Sequence, residues 1–187
     1  MATHDSKTLQ TLSIAFSMLD DEQLIEQLTR AILEAASVRE LALRACLTAP
    51  SLPKTLPPLL ELMSTSSSLT FLDLTGNCLG DSGVESLATH GLAKTQVLRA
   101  LVLDENSISD KGATQLGTCL RQHKQTSLQS MSLALNVIQK AGMQYLASAL
   151  CSNSTLLLIS AAFECGNFEI QYGQLNSVTC HQAVILG

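Results

Sequence analysis

Residues 69–87, LTFLDLTGNCLGDSGVESL, carry two apolar periodicities in succession. Leu72 and Leu74 flank one polar residue, which is the alternation of a short strand with one buried face. Further along, Val84 and Leu87 have the spacing of residues on one face of a helix. The full pattern is leucine, two residues, leucine, one residue, leucine, two residues, asparagine, one residue, leucine. It predicts a strand, a turn and a helix in immediate succession.

The same pattern recurs at nearly constant spacing along the chain. Its copies begin at residues 9, 38, 69, 98, 128 and 156, which gives successive spacings of 29, 31, 29, 30 and 28 residues. Three copies carry an asparagine in the turn and a glycine six residues later. These residues are Asn77, Asn106 and Asn136, and Gly83, Gly112 and Gly142. The other copies have Ser17, Cys46 and Glu164 in the asparagine position, and the phased recurrence predicts a repeat array.

This pattern matches the leucine-rich repeat, and repeats of about 28 or 29 residues resemble its ribonuclease-inhibitor-like class. The resemblance implies an α/β solenoid shaped as a horseshoe arc, with a parallel sheet on the concave side and helices on the convex side. We expect about five repeats plus a degenerate sixth over residues 9–164, after an N-terminal lead over 1–8. Residues 165–187 fit no repeat, although 168–172 alternate as in a strand. This tail either folds over the sixth copy or stays loose.

Apolar spacing and capping residues place the helices. The expected spans are about 22–36, 57–63, 82–90, 110–122 and 140–152. All four prolines lie in the second copy, so we expect a loop through Lys54 and then a helix that starts with Pro57 and Pro58. The expected terminal residues are Asp20 or Asp21 and Asp110 as N-caps, and Gly91 as a C-terminal stop.

Composition excludes several classes of partner. The 187-residue chain has a formal net charge of −5 and no cluster of Lys and Arg, so it lacks the electrostatic footprint of a nucleic-acid-binding protein. Anionic membrane surfaces are disfavoured for the same reason. The N-terminus has no basic start followed by an apolar run, and the longest apolar run, residues 156–159, is too short to span a bilayer. We therefore expect a cytoplasmic protein, or a nuclear one, that binds neither nucleic acid nor membrane.

The six cysteines include no close pair of the kind found in metal sites, and nothing in the chain predicts a metal or a cofactor. We expect reduced thiols packed as small core residues, with disulfides as the alternative. Cys119 and His123 lie four residues apart on a predicted helix. They are either a thiol–imidazole pair or a buried cysteine beside an exposed histidine, and the second interpretation is favoured. Without a glycine-rich phosphate loop or a serine elbow, we expect a non-enzymatic protein.

In this repeat class the residues between the core leucines of each strand point to the concave side. The most distinctive of them here are Phe71, Asp73, Asp104 and Glu105, beside Glu40 and Arg44. An exposed aromatic ringed by acids fits a partner-binding anchor with a polar rim, and an ordinary solvated face is the alternative. The repeated asparagines and glycines are expected to be structural, because buried amides can satisfy backbone groups of neighbouring turns.

The leading functional hypothesis is a module that binds another protein through the concave face. A second hypothesis is regulation of a small GTPase, because Ran GTPase-activating proteins resemble this repeat class and Arg44 is the arginine best placed to reach a phosphate. A third is a regulatory segment similar to the repeat region of nucleotide-binding immune receptors or of ribonuclease inhibitor. The pattern does not identify the partner.

Overall fold

Seven strands form one sheet in chain order. The structure, a computed structural model, describes residues 9–16, 19, 21–123, 127–163 and 166–171, and the side chains among them up to residue 160. The strands are β1 Thr11–Ala15, β2 Glu40–Arg44, β3 Phe71–Asp73, β4 Ala100–Val102, β5 Ser130–Ser132, β6 Leu158–Phe163 and β7 Gly166–Gln171. Strands β1 to β6 are parallel, and β7 is antiparallel to β6.

A helix follows each of the first five strands. The helices are α1 Glu22–Ala35, α2 Leu52–Thr65, α3 Gly80–Ser86, α4 Asp110–Gln122 and α5 Lys140–Leu150. A π-helical segment, Leu87–Leu92, continues α3 without a break. Neighbouring helices contact one another along the array, as α4 and α5 do. This alternation of parallel strand and helix confirms the predicted α/β repeat fold. Among the described helices, none has the length and apolar content needed to cross a bilayer.

The core is a stack of aliphatic layers, one from each repeat. In each repeat from β2 to β5, two inward side chains in the strand or directly after it are at most 1% exposed: Leu41, Leu43, Leu72, Leu74, Leu101, Leu103, Met131 and Leu133. They form one continuous cluster with the buried faces of the helices. The first layer is less well covered, because β1 has a strand neighbour on one side only and Leu9 is 56% exposed.

Helix α2 begins earlier than predicted. The expected loop through Lys54 is the first turn of the helix, which runs from Leu52 and holds Pro57 and Pro58 in its interior. Pro53 lies in the first turn, where its missing N–H would be unpaired anyway. The two interior prolines each cost about 3 kcal/mol. Seven buried side chains between Leu52 and Met63, most of them leucine, outweigh that cost at about 1.5–3 kcal/mol for each large one.

Two predicted helix ends are also corrected. Gly91 does not stop the third helix but lies inside the π-helical segment, where an added Cβ would stand 3.0 Å from the Met63 side chain. Close packing of neighbouring helices is therefore the reason for glycine at that position. Asp110 is the first helical residue of α4, and the N-cap is Ser109, whose hydroxyl accepts from the Lys111 N–H at 3.1 Å. Asp21 caps α1 as expected, accepting from the Gln23 N–H at 2.9 Å.

The described part of the tail folds back on the sixth copy. Gly166–Gln171 pairs with β6, with Ile159 opposite Ile170 and Ala161 opposite Phe168. An antiparallel strand satisfies the edge hydrogen bonds of β6 that a further parallel strand would otherwise satisfy. Residues 1–8 and 172–187, including the rest of the predicted tail, lie outside the described residues.

The turn after each strand from β1 to β5 places the residue before the asparagine position in the left-handed region. The residue before the asparagine position has φ between 50° and 73° in all five copies: Phe16, Ala45, Gly76, Glu105 and Leu135. Only the third copy uses glycine, the residue that adopts this conformation without a steric penalty. The other four turns hold their backbone there because the repeats stacked against them fix the chain.

Replacement of Gly76 by alanine should lower the free energy of unfolding by about 1 kcal/mol, because an L residue is disfavoured at its φ of 73°. The added Cβ itself meets only Ala45, at 3.5 Å, so conformation and not crowding sets the cost. Urea denaturation measures the effect. Ala45→Gly, at the equivalent turn, is the matched control and should be neutral or stabilising by up to about 1 kcal/mol. A loss in Ala45→Gly as large as that in Gly76→Ala would contradict the explanation.

Candidate interaction face

The three repeated asparagines join adjacent repeats in a row. The Asn106 Oδ1 accepts from the Asn77 N–H at 3.0 Å and the Leu79 N–H at 3.3 Å, both in the preceding repeat. Its Nδ2 donates to the Leu74 carbonyl at 2.8 Å and the Asp104 carbonyl at 2.9 Å. Asn77 and Asn136 make the same kinds of bond one repeat earlier and one repeat later. These amides thus supply the backbone partners that the strand-to-turn bend would otherwise lack.

Cys46 occupies the asparagine position of the second copy and makes half of these bonds. Its thiol has one hydrogen, which is shared between the Ile14 carbonyl at 3.3 Å and the Arg44 carbonyl at 3.1 Å. These carbonyls correspond to Leu74 and Asp104, the acceptors of the Asn106 amide. A thiol is only a weak donor and acceptor, so this layer is joined less strongly.

A second row of contacts joins the starts of the helices, and sequence reasoning missed it. Asp81 in α3 accepts from the Ser109 N–H at 2.9 Å, the Gly112 N–H at 3.0 Å and the Ser109 hydroxyl at 2.6 Å. Asp110 in α4 does the same for Gln139 and Gly142. Each carboxylate therefore caps the helix of the next repeat with charge-assisted hydrogen bonds. The sequence feature that could have indicated this row is an aspartate two residues before the repeated glycine, which is present in two copies.

The carboxylate of Asp81 should make stability depend on pH. Burial acts to raise the pKa of Asp81, but the hydrogen bonds from Ser109 and Gly112 together hold the pKa below its ordinary value of 3.8. A depressed pKa stabilises the fold above the unfolded-state value, and this contribution is lost as pH falls through the folded-state value. Asp81→Asn should therefore be destabilising at pH near 7, and the difference from wild type should shrink below about pH 4. Urea titrations of both proteins at several pH values measure this, and a difference independent of pH would contradict it.

The sheet face turned away from the core carries most of the predicted binding residues. One row across the strands reads Thr11, Glu40, Phe71, Ala100 and Ser130, and the next reads Ser13, Ala42, Asp73, Val102 and Ser132. Phe71 is half-buried and lies between Glu40 and Ala100, so the ring has a small apolar neighbour on one side and a carboxylate on the other. Glu40 is exposed and accepts from the Thr11 hydroxyl at 3.1 Å.

Asp73 is not an exposed binding residue, contrary to the prediction. Its side chain is 2% exposed, and its Oδ2 accepts from the Arg44 Nε–H at 2.6 Å. Its Oδ1 accepts from the backbone and hydroxyl of Thr75 at 2.9 and 2.6 Å. Arg44 is 53% exposed and folds over Asp73, which explains the burial. Asp73→Arg would place two cations together in a closed site, so it is unsuitable as a surface probe.

The remaining acidic residues differ in how strongly they are held. Asp104 is half-buried, and its Oδ1 accepts from the Ser132 hydroxyl at 2.6 Å and the Ala134 N–H at 2.8 Å. Glu105 lies in the left-handed turn and is exposed. We define the sheet-face patch as the predicted residues that remain accessible here, which are Glu40, Arg44, Phe71, Asp104 and Glu105.

Comparison with known proteins supports the repeat assignment. A family model described as Leucine Rich repeat matches residues 65–88. NACHT, LRR and PYD domains-containing protein 3 of Bos taurus is 34% identical over 101 residues, which is 54% of this chain. Leiomodin-1 Actin-Binding Site 2 (ABS2) has a similar solved structure, with a TM-score of 0.59 at 20% identity over 75% of this chain and 78% of that one. These matches and the repeat fold together support a leucine-rich repeat protein.

This leucine-rich repeat chain spans only 10% of the length of the Bos taurus relative. At 20% identity, the likeness to the leiomodin-1 segment shows a shared fold and no more. The ribonuclease-inhibitor-like class of the repeats stays a prediction.

The described cysteines are of three kinds. Cys46 and Cys119 are buried as expected, whereas Cys78 is a free thiol on the surface. Cys151 is exposed and disulfide-bonded, which differs from the reduced thiols predicted for the chain. Cys165 and Cys180 lie outside the described residues.

Cys119 and His123 do not form a thiol–imidazole pair in the leucine-rich repeat structure. The Cys119 thiol donates to the Ala88 carbonyl of the preceding repeat at 3.2 Å, while His123 is exposed at the end of α4. Burial raises the pKa of the Cys119 thiol to about 11. The thiol is therefore protonated at neutral pH and acts as a packing residue rather than a nucleophile.

Proposed function

We propose that this protein is a non-enzymatic interaction module that binds another protein through the sheet-face patch. The observation that carries the proposal is the accessible part of Phe71, which lies between Ala100 and Glu40 in one row across the sheet. Asp104 and Glu105 add acidic groups past the end of the neighbouring strand β4. An apolar centre with a charged rim is the arrangement of a protein-binding anchor. In the ribonuclease-inhibitor-like class, which the repeat length resembles, this face is the concave one.

The charges indicate what the partner presents. Glu40 and Glu105 are both exposed, and the chain as a whole is acidic. A partner that offers an apolar side chain flanked by lysine or arginine would bury Phe71 and pair its cations with these carboxylates. The name of the leiomodin-1 segment, an actin-binding site, supports a protein partner for a fold of this shape.

Substitutions on this face should separate binding from folding. Phe71→Ala and Glu105→Arg should each weaken capture of a wild-type binding partner by at least about tenfold, because the anchor or its rim is lost. Glu85→Arg, an exposed change on α3, is the matched control and should leave capture intact. Quantitative affinity capture from cell extract, with circular dichroism to verify folding, gives the measurement. If Glu85→Arg abolished capture of a partner that Phe71→Ala and Glu105→Arg still captured, the binding surface would lie on the helices and the proposal would be wrong.

Regulation of a small GTPase is the alternative function. It requires Arg44 to reach a phosphate, but the Nε of Arg44 is held by the buried Asp73 carboxylate at 2.6 Å. A guanidinium already paired with a carboxylate is less available to stabilise charge on a transferred phosphoryl group. GTP-hydrolysis assays with wild type and Arg44→Ala distinguish the two functions, since only the GTPase hypothesis predicts stimulation that is lost in the variant.

A further inference from the structure

A polar groove of about 550 Å³ lies at the edge of the sheet where the parallel strands begin. Nothing in the function proposed above uses it. Arg39 and Arg99 are the charged residues among the described residues that line the groove, and none of those described residues is acidic. Both arginines are exposed, and neither forms an ion pair with any residue that the structure describes. In a chain with a net charge of −5, two unneutralised arginines in one groove form a local region of opposite sign.

The repeat geometry sets the separation of the two arginines. Arg39, Thr70 and Arg99 occupy the same repeat position, since the Thr70 N–H donates to the Arg39 carbonyl and the Arg99 N–H donates to the Thr70 carbonyl, each at 2.8 Å. The two arginine backbones are therefore two strand spacings apart, about 10 Å. A peptide in the polyproline II conformation has three residues per turn and rises by about 3.1 Å per residue, so acidic side chains three residues apart lie on one face and span roughly 9 Å.

The hydroxyl groups of the groove complete the polar surface. The hydroxyls of Ser37, Ser68 and Ser127 donate to carbonyls of the preceding repeat, at 2.9, 2.9 and 2.6 Å. Because each hydroxyl hydrogen is used in this way, the oxygen lone pairs remain to accept from a ligand N–H. The groove thus offers cations for carboxylates and acceptors for backbone N–H groups, which are the two needs of an acidic peptide.

We propose that this groove binds an extended acidic segment of a protein, with carboxylates about three residues apart held by Arg39 and Arg99. A guanidinium pairs with a carboxylate through two parallel hydrogen bonds, which makes arginine suited to this recognition. The groove and the sheet-face patch adjoin at the strand starts, where Arg39 precedes Glu40 and Thr70 precedes Phe71, whereas Asp104 and Glu105 follow the end of β4. Arg39 and Arg99 are not part of the patch, so their substitution tests the groove.

Fluorescence anisotropy with a labelled peptide tests the proposal on the full chain. The probe is a peptide of glutamate, serine and glycine with glutamate at every third position, and its glutamine counterpart is the control ligand. Wild type should bind the glutamate peptide only. Arg39→Gln and Arg99→Gln should each weaken binding about tenfold, the loss typical of one charge-assisted pair. Arg30→Gln, an exposed arginine on α1, is the matched control and should bind as wild type does.

Charge reversal strengthens the test. The double variant Arg39→Glu/Arg99→Glu should reject the glutamate peptide and bind a lysine peptide of the same spacing. If an Arg39→Gln/Arg99→Gln double variant bound the glutamate peptide as tightly as wild type, the groove would not be the binding site. The same conclusion would follow if Arg30→Gln weakened binding as much as Arg39→Gln or Arg99→Gln. Binding of a phosphoserine peptide in place of the glutamate peptide would overturn the assignment to carboxylates.

Discussion

Replacement of Asn106 by leucine is expected to lower the free energy of unfolding by about 4 kcal/mol. The side chain is fully buried and makes four hydrogen bonds to backbone groups of two repeats. Leucine has a similar size but leaves the Asn77 and Leu79 N–H groups and the Leu74 carbonyl without the partners that Asn106 supplies, whereas the Asp104 carbonyl keeps the Gly76 N–H at 2.9 Å. Each group left without a partner costs about 1–3 kcal/mol when no water reaches it. Urea denaturation followed by circular dichroism measures the loss.

Asn136 provides the matched comparison for Asn106. It makes the same kinds of bond, but it is half-buried at a turn where the neighbouring Leu135 and Val137 are 63% and 60% exposed. Water can replace part of the lost bonding there, so Asn136→Leu should cost only about half as much, roughly 2 kcal/mol. If the Asn136 variant lost as much stability as the Asn106 variant, burial would not be what makes the row of asparagines stabilising.

Gly142→Ala is expected to cost about 3 kcal/mol, although alanine is the better helix former. A Cβ at this position would stand 2.5 Å from the Asp110 Oδ1, 2.8 Å from the Ile138 side chain and 2.9 Å from the Asp110 Cα. Because one of these atoms is backbone, the clash can be relieved only by moving one repeat relative to the next. That movement also weakens the hydrogen bond from the Gly142 N–H to Asp110.

Gly83→Ala is the control for Gly142→Ala. No carboxylate from a preceding repeat approaches Gly83, and its nearest contact would be the Leu79 Cβ at 3.1 Å. The gain in helix propensity offsets this tight contact, so the stability should stay within about 1 kcal/mol of wild type. Thermal and urea denaturation of both variants test the difference, and equal losses would mean that the aspartate contacts are not the reason for the repeated glycine.

A double-variant cycle isolates the contribution of the carboxylate. A Cβ on Gly112 would meet the Asp81 Oδ1 at 2.6 Å, whereas the Asp81 Cα is 3.5 Å away. Gly112→Ala should therefore cost less in an Asp81→Ala background than in wild type, although the contact with the Ile108 side chain at 2.7 Å remains. Additive losses in the double variant would contradict a direct clash between Asp81 and position 112.

Local spacing was sufficient to predict most of the fold. The positions of the leucines predicted the strands, and the helices α1, α4 and α5 begin where apolar periodicity and capping residues indicated. Helix α2 was the main error, because the local cost of Pro57 and Pro58 was weighed without the burial that only packing against neighbouring helices provides. Gly91 was misinterpreted for the same reason, since its close neighbour is Met63 in the preceding repeat.

The candidate binding residues were less predictable than the fold. Asp73 and Asp104 were both expected on the exposed face, yet Asp73 is buried under Arg44 while Asp104 keeps an accessible edge. The contacts that decide this come from residues about one repeat away in the chain: Arg44 lies 29 residues before Asp73, and Ser132 lies 28 residues after Asp104. Alternation along one strand tells which face a side chain is on, but not which neighbour covers it.

The sequence by itself determined the succession of strand, turn and helix and the stacking of one repeat on the next. The apolar positions recur in phase with a period of 28 to 31 residues. Each repeat can therefore bury its apolar side chains only against the repeats next to it. Only the tertiary structure decided which polar side chains face solvent, which carboxylates cap the next helix, and where two arginines share a groove. Those outcomes depend on hydrogen bonds and contacts between repeats, and such pairings arise only when the layers are stacked.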